Sequence, residues 1–215
     1  MDDVNSDYPG DWREDRAALL RLLAQIALRE GKFRLSSGGE SDYYLDCRVV
    51  TLHPLGGRLA ARLFLRELLA LTPPPEGVGG LTLGADPIVA GVAIASALGP
   101  QPMPGFLVRK AEKTHGTGRR IEGLDNLRPG ARVAIVDDVC TTAASTMQAA
   151  EAAWEAGFEI VAVRCLVERE EAGGRANLDA LWQQRLGRPC PFGALFGASE
   201  IRAARAAADR AGAAS

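Results

Sequence analysis

The segment "RVAIVDDVCTTAASTMQAAEAAWEAG", residues 132–157, constrains the fold more than any other. It opens on an apolar run at Arg132–Val139 that reads as a buried strand and closes on two adjacent aspartates, Asp137 and Asp138. A loop of small residues follows, and then a helical pattern over Ser145–Ala156 that Gly157 stops. A strand, a short loop and a helix in this order make half of a βαβ unit.

The chain around this segment repeats the alternation. "GLTLG" at Gly80–Gly84 reads as a short strand, and Asp86 and Pro87 open a helix running to Leu98. Met103–Lys110 and Glu159–Val167 read as further strands. The expected fold is α/β, with a mainly parallel sheet covered by helices on both faces. Upstream, Glu14–Arg29 carries Leu19, Leu22, Leu23 and Ile26 at helical spacing, with Gly31 past its end. The Ser/Gly run after Phe33 is a turn, Tyr43–Val50 has β character, and Pro54–Leu71 is a second helix ended by "TPPPEG". The organisation expected is an N-terminal cap and hood over residues 1–72, an α/β core over 73–200, and an alanine-rich tail, 201–215, with no assigned role.

Bulk properties exclude several function classes. A formal net charge of −2 provides no general positive field for a polynucleotide. The beginning of the sequence is acidic and polar, unlike an export leader, and the longest apolar stretch, near Ile88–Gly99, is too short to span a bilayer. The expectation is a cytoplasmic protein without nucleic-acid or membrane partners. Cys47, Cys140, Cys165 and Cys190 lack metal-ligand spacing, and His53 and His115 lie far apart, so no protein-held metal site is expected.

In an open α/β sheet, ligands sit beyond the carboxyl ends of the strands. Amides of the loop 141–145 at a helix N-terminus, with the hydroxyls of Thr141, Thr142 and Ser145, suit a phosphate. Two carboxylates beside it would repel a bare phosphate but suit the hydroxyls of a sugar, so a ribose 5-phosphate satisfies both. The plainer alternative is a strand end in solvent, with Thr141 or Ser145 acting only as a helix cap. A second cluster, Arg109, Lys110, Lys113, His115, Arg119 and Arg120, lies in a glycine-punctuated segment suited to a polyanion such as pyrophosphate, or to a solvated surface loop.

Together these segments resemble the orotate phosphoribosyltransferases, over roughly Phe33 to Ile201. "VAIVDDVCTTAAS" is similar to the 5-phosphoribosyl-1-pyrophosphate (PRPP) motif of type I phosphoribosyltransferases, and "RKAEKTHG" to the family's catalytic loop. "FRLSSGGESDYYLDCR", "GLTLGADPI" and "LVEREEAGG" are similar to its orotate-side, pyrophosphate and orotate-carboxylate segments. The resemblance implies transfer of phosphoribosyl from Mg²⁺-PRPP to N1 of orotate, giving orotidine 5′-phosphate and pyrophosphate in pyrimidine synthesis, by a homodimer with shared active sites. It implies catalytic roles for Lys113, His115, Asp137 and Asp138, and PRPP binding by these with Arg109, Lys110 and the stretch Val139, Cys140, Thr141, Thr142, Ala143, Ala144 and Ser145. Orotate would meet Ser36, Tyr44, Leu45, Thr141 and Arg169, and pyrophosphate would meet Ala85 and Asp86, the latter also readable as a helix cap. The metal would be Mg²⁺ carried by PRPP. Ala143 and Ala144 stand where the family has one or two glycines, Ser36 where many relatives have lysine, and Leu45 where an aromatic is common. The alternatives are a PRPP-binding regulator, a weakened paralogue, or a purine-type phosphoribosyltransferase.

Overall fold

The computed structural model describes residues 11–34, 40–110 and 120–213. The sequence-assigned residues Ser36, Lys113, His115 and Arg119 lie outside them.

Six strands form the central sheet in the order β5-β4-β3-β6-β7-β8. These are β3 (Gly77–Leu81), β4 (Gly105–Val108), β5 (Ile121–Glu122), β6 (Arg132–Cys140), β7 (Glu159–Glu168) and β8 (Phe192–Gly197). All neighbours run parallel except the short edge strand β5, which is antiparallel to β4. The apolar run of β6 follows from its central place. Val133 and Ile135 face one core, and Ala134 and Val136 face the other, all four without solvent exposure. A strand covered on both faces has no reason to alternate apolar with polar residues.

One face is covered by α1 (Trp12–Leu22), α3 (Pro54–Leu69), α4 (Asp86–Ser96) and α7 (Ala198–Ala213). Leu19, Phe64, Ile88 and Ile201 bring the four helices into one core with Ala134 and Leu166. The other face is covered by α5 (Ala144–Glu155) and α6 (Gly174–Leu186), through Ala149, Ala153, Leu178 and Trp182. The small side chains of α5 let it sit close to the sheet, and Gly157, at φ +82, turns the chain out of it.

A two-stranded antiparallel ribbon, β1 (Leu28–Arg34) with β2 (Glu40–Leu45), and the short helix α2 (Arg48–Thr51) complete the N-terminal region. Here the structure corrects four sequence expectations. The first helix does not reach Arg29: it loosens into a π-helical turn at Leu23–Ala27, and Leu28 is already extended because it pairs with Leu45. Gly31 therefore lies inside β1, at a register shift between Glu30 and Phe33, and not at a helix end. Arg48–Val50 is helical, since a backbone reversal at Cys47 ends the ribbon. The strand expected at Gly80–Gly84 ends at Leu81, and Thr82–Gly84 form a turn containing a cis peptide between Thr82 and Leu83. Helix α6 and strand β8 carry no strong periodicity and come from tertiary pairing: β8 adds to β7 in parallel register.

Candidate active site

Parallel strands β3, β6 and β7 end on the same side of the sheet, and a cavity of about 410 Å³ opens there. It is lined by Tyr44, Leu45, Asp46 and Arg48 from the N-terminal region and by Leu81, Thr82, Leu83 and Gly84 after β3. Lys110, Asp137, Asp138, Val139, Thr141, Thr142, Ser145 and Arg169 complete it. The sheet thus gathers residues from five separate sequence segments at one point.

Asp137 and Asp138 occupy the end of β6 as the sequence requires, but they are far more enclosed than a strand end in solvent. Asp137 is only 4% exposed. The Thr146 hydroxyl donates to its Oδ2 at 2.9 Å, and the Asp138 amide donates to its Oδ1 at 3.0 Å. The Val139 amide donates to Asp138 Oδ1 at 2.9 Å. Burial, and then the adjacent Asp138 charge, push the Asp137 carboxyl up to about 7, against the lowering effect of its hydrogen bonds. Burial raises Asp138 too, and the Val139 amide, with the Arg48 charge after it, works against that rise. Space for the pair depends on Gly84: a Cβ there would stand 2.5 Å from Asp138 Oδ1 and 3.2 Å from Asp137 Oδ1.

The loop after the aspartates turns into α5 through Ala143, which holds φ +62 and is the one described non-glycine residue with positive φ. Ala143, not Thr141 or Ser145, is the N-cap, and no side chain bonds to the first amides of α5. The capping alternative therefore fails, and the N-terminus of α5, with its positive pole, lies beside Thr141, Thr142 and Ser145 of the cavity lining. Ala144 is the first helical residue and needs no unusual backbone.

Arg169 directly follows β7 and is 6% exposed. Its Nε donates to Tyr43 Oη at 3.1 Å and its Nη2 to Ser41 Oγ at 2.9 Å. Its ion partner is Glu171 at 3.2 Å, neither Glu168 nor Glu170: Glu168 pairs with Arg175, and Glu170 accepts from Ser199. The guanidinium lies 4.3 Å from the Tyr43 ring centre, and Tyr43 donates a short hydrogen bond to Glu171. Burial first, then that bond, raises the Tyr43 phenol to about 12.

Other sequence-assigned residues are placed differently. Cys140 is wholly buried and offers only its carbonyl, to the Arg169 amide. Arg109 is outside the cavity lining and pairs with Glu122 at 3.1 Å. Ala85 and Asp86 do not line the cavity either, and the preceding turn does. Asp86 is the first residue of α4 and makes no capping bond, because Ala85 holds the cap position. Asp46, Arg48, Thr82–Gly84, Ser41 and Glu171 lie in segments that the resemblance marked but were given no individual role, and Thr146 lies one residue past the marked aspartate motif. For Thr146 the available signal was a hydroxyl residue in the first helical turn after the aspartate loop.

A parallel sheet with an aspartate pair at its central carboxyl end, a small-residue loop leading into an uncapped helix, and a ribbon beside the cleft defines a type I phosphoribosyltransferase fold. No family model matches the chain. It is 45% identical over 158 residues to an orotate phosphoribosyltransferase of Nostoc sp., covering 74% of this chain and 75% of the relative. The structure of Mycobacterium tuberculosis orotate phosphoribosyltransferase in complex with Fe(III) dicitrate superposes with a TM-score of 0.71 at 35% identity, covering 87% of this chain and 98% of that one. The same enzyme in complex with PRPP superposes with a TM-score of 0.66 at 27% identity, covering 90% and 93%. The chain belongs to the orotate phosphoribosyltransferase family.

Proposed function

We propose that the chain transfers phosphoribosyl from PRPP to N1 of orotate, releasing pyrophosphate and forming orotidine 5′-phosphate. The observation that carries the reading is the cavity itself, with an aspartate pair and an uncapped helix terminus together and a buried arginine opposite. The amides of Thr141–Ser145 hold the 5-phosphate, and the aspartates accept from the ribose hydroxyls. As the bond from C1 to pyrophosphate breaks, positive charge grows on the ribose ring, and the nearby carboxylates stabilise it. N1 of orotate then bonds C1. Thr82–Gly84 and Lys110 face the leaving pyrophosphate, with Lys113 and His115 assigned there from the sequence. Arg169 receives the orotate carboxylate, with Tyr44 beside the pyrimidine.

Among the described residues, no three acidic, histidine or cysteine side chains cluster to hold a metal ion. Mg²⁺ would arrive on the oxygens of PRPP, with no residue of this chain assigned as its ligand, and would neutralise diphosphate charge. A homodimer is supported by an apolar groove between α3 and α4, lined by Leu52, Ala61, Ile94 and Leu98. Three of these, Leu52, Ile94 and Leu98, are 70–83% exposed in the single chain. No described helix is long and apolar enough to cross a membrane, and we read the location as cytoplasmic.

Loss of orotate absorbance with PRPP and Mg²⁺ is the direct test. Turnover of orotate, with hypoxanthine and adenine untouched, is expected. Arg169→Lys, which keeps the charge but loses the fork, should raise the KM for orotate about tenfold or more and leave that for PRPP within about twofold. Absent turnover of orotate, or faster turnover of a purine, would overturn the reading.

A further inference from the structure

Asp137 and Asp138 are sequence neighbours held in different ways. Asp138 is fixed by the amide of the next residue and stands against Gly84 at the cavity mouth. Asp137 is deeper, and one of its oxygens is tied to a side chain nine residues away, Thr146 Oγ1. Thr146 is itself 2% exposed and lies in the first turn of α5. Its hydroxyl links the end of β6 to the start of the helix across the intervening loop, and it does not line the cavity.

We propose that Thr146 is a positioning residue for phosphoribosyl transfer, holding the Asp137 carboxylate from behind in one orientation and favouring its ionised form. The proposal rests on the transferase reading above. A buried carboxyl next to a second one tends to keep a proton, and a donor hydroxyl on the ionised oxygen opposes this. The other groups around Asp137 cannot substitute. Asp138 repels its charge, Arg48 of α2 acts mainly on Asp138, and the Cys47 and Cys165 thiols are buried and held neutral. Lys110 lines the same cavity from the strand-end side. Besides Thr146, the hydrogen-bond support of Asp137 is the Asp138 amide.

The test compares Thr146→Val, Thr146→Ala and Thr146→Ser with the parent in pH profiles of kcat/KM for PRPP. Loss of the hydroxyl should move the acidic limb to higher pH by on the order of one unit, a roughly tenfold loss near pH 6 that shrinks toward pH 9. The KM for orotate should stay within about twofold, and Thr146→Ser should restore the parent profile. Profiles of the valine and alanine variants that overlay the parent would overturn the proposal. So would a serine variant no better than valine, which would show that the methyl group matters instead. A ¹³C NMR titration of the Asp137 carboxyl in ligand-free parent and alanine variant reads the same effect without turnover. It is expected to show a higher midpoint in the variant, and equal midpoints would refute the proposal even where the enzyme assay fails.

Discussion

Replacing Ala143 by glycine should change stability very little, although glycine is the residue its backbone favours. Three terms decide this. Holding an L-residue at φ +62 costs about 1–2 kcal/mol, which glycine would recover. Against that, Ala143 is 4% exposed and its methyl packs in the core beneath α5, so its loss costs about 0.8 kcal/mol. The freer unfolded chain of the glycine variant costs a further ~0.5–1 kcal/mol. The sum lies within about 1 kcal/mol of zero. Ala144 is the control. It is exposed and helical, so Ala144→Gly has no strain to recover and should lose up to about 1 kcal/mol. Urea denaturation of parent and both variants, read as midpoint shifts at constant slope, measures the difference. Since neither alanine lines the cavity, the KM for PRPP should stay within about twofold in both. A loss above about 2 kcal/mol in Ala143→Gly would refute the strain argument. A several-fold fall in the KM for PRPP would show that the Cβ crowds the phosphate after all.

Two further outcomes follow from the aspartate pair. Asp137 is raised on folding, so its contribution to stability is greatest below the ordinary carboxylate value of 3.8 and is lost as pH rises toward about 7. Asp137→Asn should therefore be more stable than the parent at pH 8 by on the order of 4 kcal/mol, with the gap closing toward pH 4, while turnover falls at least about a hundredfold; stability differences that stay constant across that range would refute the burial argument. Gly84→Ala should force Asp138 aside and depress kcat about tenfold or more with a melting temperature within a few degrees of the parent, and retained activity would show that the carboxylate does not need its observed place.

The sequence was legible where local pattern and burial agree. The run through Val133–Val136, the helix ended by Gly157 and the helix beginning at Pro54 all fall within a few residues of their observed bounds. It was illegible where pairing overrides propensity. Leu28 and Arg29 continue the helical spacing that begins at Glu14, yet pairing with β2 makes them the start of a strand. The two aspartates and the following loop were recognisable because the site there is built from consecutive residues. Arg169 was recognisable by resemblance, but its partners were not, because Ser41 and Tyr43 lie more than a hundred residues away in the chain.

By itself, the sequence determined the alternation of strands and helices, the strand end that carries Asp137 and Asp138, and the family. Those properties depend on short-range order: hydrophobic runs, turn residues and a contiguous motif. Only the tertiary structure decided that Asp137 is buried and tied to Thr146, that Gly84 makes room for the pair, and that Ala143 rather than Ala144 carries the strained backbone. Burial, close approach and backbone angle depend on which distant elements pack together, and residue types in a row do not encode them locally.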